Sequence, residues 1–361
     1  MKKVMVYAYT HHNLGDDLFI KILCERYPKV KFILYAPNRY KSCFKNIKNI
    51  SIIPSDLLIF RGINYIFRKL KVNRFFVREL IANKCDAMVY IGGSLFIQGE
   101  DWKEGIENVK SMQIKSKPFF LLGANFGPFK EKEFYLAYKE IFKGYTDVCF
   151  REKYSYDMFN DLNNVRMADD IIFQLEREGS QQPKNSIVIS VIKPSIRKHL
   201  KNYDEIYYEK IKDIATYFIE KGYEITLMSF CESEGDLEAV EKIMNRIPKE
   251  YLSNVTTYLY ELNIREALSI IEKSSFVVAT RFHSMILGWV YNKPVFPIVY
   301  SEKMTNVMRD VDFKGAYTEF NNIDSLNPEE VFKSMETNLI DVSNQIDNAK
   351  RHFEKLDEYL L

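Results

Sequence analysis

The chain has 361 residues, a formal net charge of +2 and a hydrophobic content of 47%. It is long enough for two domains with real cores, and too evenly charged for general attraction to a polyanion. Its five cysteines (Cys24, Cys43, Cys85, Cys149 and Cys231) form no CxxC pair and no tight cluster, which argues against a disulfide framework or a thiolate zinc site.

Met1-Lys2-Lys3 runs straight into Val4-Met5-Val6-Tyr7, without the apolar core of a signal peptide. No run of about twenty apolar residues is present to span a bilayer. A cytoplasmic protein is expected.

In chain order, a first strand is predicted over Val4–Tyr9. The loop His11-His12-Asn13-Leu14-Gly15-Asp16-Asp17 follows, then a helix from about Leu18 to Arg26. A polar, Gly-containing loop between first strand and first helix is the usual ligand loop of a doubly wound domain. It is not GxGxxG, so a dinucleotide is poorly supported. Further strands are expected at Phe32–Ala36, Ile50–Pro54, Ala87–Ile91, Phe119–Gly123 and Asp147–Arg151, with a helix opening at Ser155.

Residues 60–84 stand apart. Arg61, Arg68, Lys69, Lys71, Arg74 and Arg78 interleave with Ile66, Phe67, Leu70, Phe75, Phe76 and Leu80. The pattern suits first a surface helix with one buried face; the alternative is a basic amphipathic helix lying on an anionic membrane.

The polar stretch 176–184 is the candidate linker. Beyond it the pattern repeats: strands at Ile187–Val191, Tyr223–Ser229 and Val255–Tyr258, with helices between, one of them at Arg265–Lys273. These features predict an α/β chain of two Rossmann-like domains facing across a cleft, an N-terminal one over 1–178 and a C-terminal one over 185–325. A helical segment over 326–361 follows. Many glycosyltransferases share this arrangement.

The most informative stretch is 277–303, read as strand, helix, strand. Arg281 and His283 stand at the helix N-terminus, and Lys303 lies just past the second strand. In an open parallel sheet these positions gather at the carboxyl ends of the strands, where two cations and an imidazole beside helix-end N–H groups make an anion site.

The motifs here are Ala279-Thr280-Arg281-Phe282-His283-Ser284, Lys293-Pro294-Val295, Tyr300 and Lys303. Upstream, in order, come Asn13-Leu14-Gly15-Asp16, Ile91-Gly92-Gly93-Ser94, Gly123-Ala124-Asn125-Phe126-Gly127-Pro128, Phe150-Arg151-Glu152 with Ser155, and Ala168-Asp169-Asp170. Together they resemble the polysaccharide pyruvyl transferase family. Two segments depart from the family pattern: Asp170-Ile171 replaces Pro-Ala, and Gly-Ala-Asn-Phe-Gly-Pro replaces GxGIGP.

The resemblance implies a GT-B-like fold and transfer of a pyruvyl group from phosphoenolpyruvate to two hydroxyls of a sugar as a cyclic ketal. It also implies that Arg151, His283 and Lys303 bind or activate the donor. No cofactor or metal is expected beyond phosphoenolpyruvate as co-substrate. The sugar would belong to a surface polysaccharide such as a capsule or exopolysaccharide, or to a lipid-linked precursor. A lipid-linked acceptor would give 60–84 a role in peripheral contact with the inner face of the cell membrane. Nucleic acid is not an expected partner.

The chemistry suits these residue types. Phosphoenolpyruvate carries a phosphate and a carboxylate, which Arg grips bidentately and Lys meets as a point charge. His283 serves as acid or base near neutral pH, and Arg281 either contacts the donor or pairs with a carboxylate. Ser284, Gly92, Gly93 and Ser94 are the other expected donor contacts. Asn13, Asp16 and Asn125 are expected on the acceptor side, with Asp16 either a base or a helix cap. Asp169 and Glu302 are weaker candidates for the base. The competing reading is a GT-B nucleotide-sugar glycosyltransferase, with Glu232, Glu234 or Glu302 as the ribose-binding carboxylate.

Overall fold

Short apolar runs between turn residues become parallel strands. In the computed structural model, which describes residues 1–69, 76–177 and 185–361, the polypeptide divides into two units. One comprises Met1–Thr10, Leu18–Gln174 and Asp347–Leu361; the other comprises His11–Asp17 and Leu175–Ile346.

The first unit holds strands β1 (Lys3–Tyr7), β2 (Lys31–Ala36), β3 (Ile50–Pro54), β4 (Ala87–Ile91), β5 (Phe119–Ala124), β6 (Asp147–Phe150) and β7 (Val165–Met167). They form one parallel sheet in the order β3-β2-β1-β4-β5-β6-β7. The second unit holds β8 (Ser186–Ser190), β9 (Glu224–Met228), β10 (Val255–Tyr258), β11 (Phe276–Ala279), β12 (Val295–Val299) and β13 (Thr318–Glu319). Its sheet is also parallel, in the order β10-β9-β8-β11-β12-β13. Each order reverses beside the first strand of its sheet, between β1 and β4 and between β8 and β11. The loops leaving those strands therefore diverge and open a crevice.

The central strands are buried along their whole length, as in β4 (AMVYI) and β5 (FFLLGA). Helices cover both faces of a doubly wound parallel sheet, so its inner strands carry continuous apolar runs rather than alternation. The edge strand β10 (VTTY) instead exposes its two threonines.

Under the first sheet lies an aromatic cluster. Phe126 sits 4.9 Å from Phe159, 5.4 Å from Phe134 and 5.6 Å from Tyr138, ring centre to ring centre. Phe96 packs 4.9 Å from Tyr138 and 5.2 Å from Phe142. The Phe that departs from the family's GxGIGP pattern is thus a core residue.

Three expectations change. The helical segment expected over 326–361 is shared between the units, because the last residues pack back on the first. Arg26 and Tyr27 bond Asp357 (Nε–Oδ1 3.1 Å and Oη–Oδ1 2.6 Å), and Arg166, itself paired with Asp147, donates to the His352 carbonyl at 2.6 Å. The Asn13 and Asp16 loop, expected in the first domain, belongs to the second unit. The basic stretch contains two helices, Leu58–Lys69 and Phe76–Ala82; Leu70, Lys71, Arg74 and Phe75 lie outside the described residues, as does most of the expected linker.

Phe126→Ala removes the hub of the aromatic cluster. It is expected to lower the stability of the first unit by about 3–5 kcal/mol, measured as a shift in the urea midpoint.

Candidate functional site

The expected site residues fall into two groups, one in each unit. In the first unit, Arg151 follows β6. Its Nη1 donates to Asp170 Oδ2 at 2.9 Å and its Nη2 to Asn125 Oδ1 at 2.6 Å, with both the Arg151 and Asp170 side chains almost fully buried. Ser94 Oγ donates to the same Asn125 oxygen at 3.2 Å. Gly93 lies flat against the guanidinium: a Cβ there would come within 2.5 Å of Arg151 Nη1. Ser155 Oγ accepts from the Phe126 N–H at 2.8 Å and donates to Glu152 at 2.7 Å. Four motifs of the sequence thus form one polar network at the carboxyl ends of β4, β5 and β6. Arg151, expected to hold the donor, is closed into this network. Asp170, which replaces the family's Pro, is its counterion.

The second unit gathers the rest. Arg281, two residues past the end of β11, is extended and caps the helix Phe282–Val290. Its guanidinium, buried, pairs with Asp236 and, at 2.6 Å, with Glu234. Arg197 reaches the same Glu234 oxygen at 2.6 Å. Asp236 also accepts N–H bonds from Phe230 and Cys231, both at 2.9 Å. Against the desolvation of burial, these carboxylates raise the Arg281 guanidinium well above its ordinary value. Burial works to raise Glu234, but Arg281, Arg197 and Lys303 outweigh it and hold the carboxyl down at about 2. Ser284, expected to touch the donor, is fully buried and shares a 2.5 Å bond with Ser190. It braces the turn.

His283 is placed by the N-terminal loop. Leu14 N–H donates to the Phe230 carbonyl at 3.0 Å, and Asn13 forms a bridge with Cys231. Asn13 Oδ1 accepts the Gly15 N–H at 3.0 Å. The His283 ring then rests on Gly15 so closely that a Cβ there would fall 1.6 Å from Nδ1. Asp16 is buried in the first turn of the helix Leu14–Arg26, which starts earlier than the Leu18 expected, and Asp17 in the same turn accepts from the Tyr260 hydroxyl at 2.7 Å. The glycine of the NxGD motif is required by the histidine of the RFHS motif.

Lys303, partly buried, holds its Nζ 5.3 Å from the Phe282 ring centre and 5.5 Å from that of Tyr300. Arg197 lies over the other part of this site, 4.5 Å from the Tyr300 ring, and His199 bonds the Tyr300 carbonyl at 3.1 Å. Burial alone would raise the Tyr300 phenol; Lys303, Arg197 and Arg281 together lower it below its ordinary value. Arg197, His199 and the ionisable role of Tyr300 were not apparent in the sequence. The signal available was the position of residues 193–200 just after the first strand of the second sheet, beside its switch point.

Two parallel sheets of this winding, with cationic side chains gathered near the carboxyl ends of the second, define an α/β protein of GT-B-like fold. The chain belongs to the polysaccharide pyruvyl transferase family, whose sequence model matches residues 13–302. It is 22% identical over 247 residues to the amylovoran biosynthesis protein AmsJ of Erwinia amylovora, covering 63% of this chain and 59% of AmsJ.

Among solved structures it is similar to MnaA of S. aureus, in a co-structure with UDP (TM-score 0.60, 13% identity, 100% of this chain and 97% of that one). It is also similar to UDP-GlcNAc 2-epimerase of Methanocaldococcus jannaschii in complex with UDP-GlcNAc and UDP (TM-score 0.59, 11% identity, 100% and 99%). These likenesses establish the fold.

Gly15→Ala is expected to drive the His283 ring from its seat while the fold persists. The imidazole resonances should move in NMR spectra, with only a few degrees' change in Tm. Glu234→Gln tests the charge network. The Glu234 carboxyl is depressed from 4.5 to about 2, so its contribution to stability is complete above 4.5 and is lost as pH falls through about 2. The variant should be less stable than wild type by on the order of 2 kcal/mol at pH 7. That gap should narrow steadily in urea titrations repeated between pH 4.5 and pH 2.

Proposed function

We propose that the protein is a pyruvyl transferase that moves the pyruvyl group of phosphoenolpyruvate onto two hydroxyls of a sugar in a bacterial surface polysaccharide or its precursor. The observation that carries this reading is the grouping around Tyr300 and the helix Phe282–Val290. Lys303, Arg197 and the helix N-terminus supply positive potential where His283 is fixed against Gly15. Three cations (Arg281, Arg197, Lys303) stand against two carboxylates (Glu234, Asp236). The small positive surplus suits a donor with phosphate and carboxylate on a three-carbon frame.

In the reaction the methylene carbon of the donor takes a proton. The neighbouring carbon bonds to one hydroxyl oxygen and then to a second, and its bond to the phosphate oxygen breaks. Of the two hydroxyl protons released, one balances the new methyl group and the other leaves with phosphate. His283 is assigned as the acid–base group. Lys303 and Arg197 bind the phosphate and stabilise its departure. Tyr300, its phenol lowered by those cations despite burial, lies in the same field. Asp16 and Asn13, beside His283 through Gly15, are assigned to the acceptor. Arg151, with Gly92, Gly93, Ser94 and Asn125, is assigned to shaping the strand ends of the first unit.

Glu234 is already committed to two arginines, which argues against its use as the ribose-binding carboxylate of a nucleotide-sugar enzyme.

The test incubates the protein with phosphoenolpyruvate and a panel of galactosides, mannosides and N-acetylated hexosaminides, some lipid-linked. Acceptor-dependent phosphate release and a product heavier by one pyruvyl unit less water are expected. His283→Ala should abolish turnover while still binding donor, and Lys303→Met should raise the KM for phosphoenolpyruvate by about tenfold or more. Calorimetry that finds UDP-sugar binding and no phosphoenolpyruvate binding would overturn the reading.

A further inference from the structure

The helix Leu58–Lys69 carries apolar side chains on both of its sides. Phe60, Ile63, Asn64 and Phe67 face inward: Phe60 meets Tyr35 at 6.5 Å, Asn64 accepts the Val77 N–H at 3.2 Å, and Phe67 stacks on Phe76 at 3.8 Å. That packing accounts for one apolar face. The opposite face does not fall to polar residues. Leu58 is 81% exposed, Ile59 66%, Ile66 56% and Tyr65 47%, and Leu57 just before the helix is exposed as well. At 100° per residue these positions and the exposed Arg61 and Lys69 fall on one side of the helix. Lys69 Nζ lies 5.1 Å from the Tyr65 ring centre, so cation and aromatic ring are presented together.

An outward face of this kind is costly in water and common only where something covers it. Its charge says what the cover is. Residues 57–78 contain six Lys or Arg and no Asp or Glu, in a chain whose net charge is only +2. A helix face of Leu, Ile and Tyr flanked by cations, without acidic residues, matches a bilayer interface bearing anionic headgroups. Apolar side chains enter the acyl boundary, and Lys and Arg extend to the phosphates. A second copy of this chain presenting the same face would oppose cation to cation.

We propose that the outward face of the helix Leu58–Lys69 docks the protein on an anionic lipid surface. The attachment is peripheral, since among the described residues no helix is long and apolar enough to cross a membrane.

The experiment is co-sedimentation of the full chain with phosphatidylcholine vesicles, with and without about one third phosphatidylglycerol. The protein should sediment with the anionic vesicles, at least about tenfold more strongly than with neutral ones, and lose that binding as salt is raised. Leu58→Gln with Ile66→Gln, and separately Arg61→Glu with Lys69→Glu, should each weaken it by about tenfold or more. All four side chains are exposed on one face of the helix, so far-UV circular dichroism should match wild type. Absence of binding to anionic vesicles, or binding that both double variants retain, overturns the proposal. So does a dimer in sedimentation velocity that Leu58→Gln with Ile66→Gln dissolves, which would assign the face to a second copy.

Discussion

The second unit depends on a guanidinium buried among carboxylates. Arg281 inside the protein is tolerable only because Asp236 and Glu234 meet it there. Asp236 does more than neutralise. Its second oxygen receives the N–H groups of Phe230 and Cys231, fixing the loop after β9. That loop in turn receives Leu14 through the Phe230 carbonyl and Asn13 through Cys231. Asn13 holds Gly15, and Gly15 is the floor beneath His283, two residues beyond Arg281 itself. The circuit closes on its starting point. The seat of the His283 imidazole thus rests on this chain of contacts.

The architecture was largely legible in the sequence because parallel strands buried on both faces leave unbroken apolar runs. The runs at 50–54, 87–91 and 255–258 became strands with the expected ends. Less legible were elements whose existence depends on distant partners. β7 is three residues long and owes its place to pairing with β6, and β13 has only two residues, held by β12. The membership of residues 11–17 was hidden for a related reason. Local pattern makes them the loop after a first strand, whereas their hydrogen bonds run to residues more than two hundred positions away.

The site was legible as a set of residue types and less so as a set of roles. Arg151 and Arg281 both stand at strand ends, where a cation suggests an anionic ligand. Their counterions lie 19 and 45 positions away, and nothing in local spacing identifies Asp170 or Asp236 as their partners. The exchange of the family's Pro for Asp170 was visible as an oddity; its meaning appears only when the carboxylate is seen against Arg151. Conversely, Lys303 stood out in a lysine-rich chain only by its spacing from His283 and its place in the family pattern. It gains weight from Tyr300, whose phenol is lowered despite burial because Lys303 and Arg197 flank it.

This division of labour among the cations has a physical logic. A pocket lined by three uncompensated guanidinium or ammonium groups would repel itself and bind any anion without discrimination. Fixing Arg281 in a closed pair leaves its charge to polarise the site while Glu234 and Asp236 engage its two Nη donors. Arg197 is the intermediate case: it shares the outer carboxylate, Glu234, and lies across the Tyr300 ring. In the proposed reaction an arriving phosphate would draw it away from Glu234 without unmaking the inner Arg281–Asp236 pair. The energy of that exchange is modest, because one charge-assisted contact replaces another. On that proposal the buried pair would hold the geometry constant while the outer arginine adjusts, so that rigidity and ligand exchange would reside in different residues of one network.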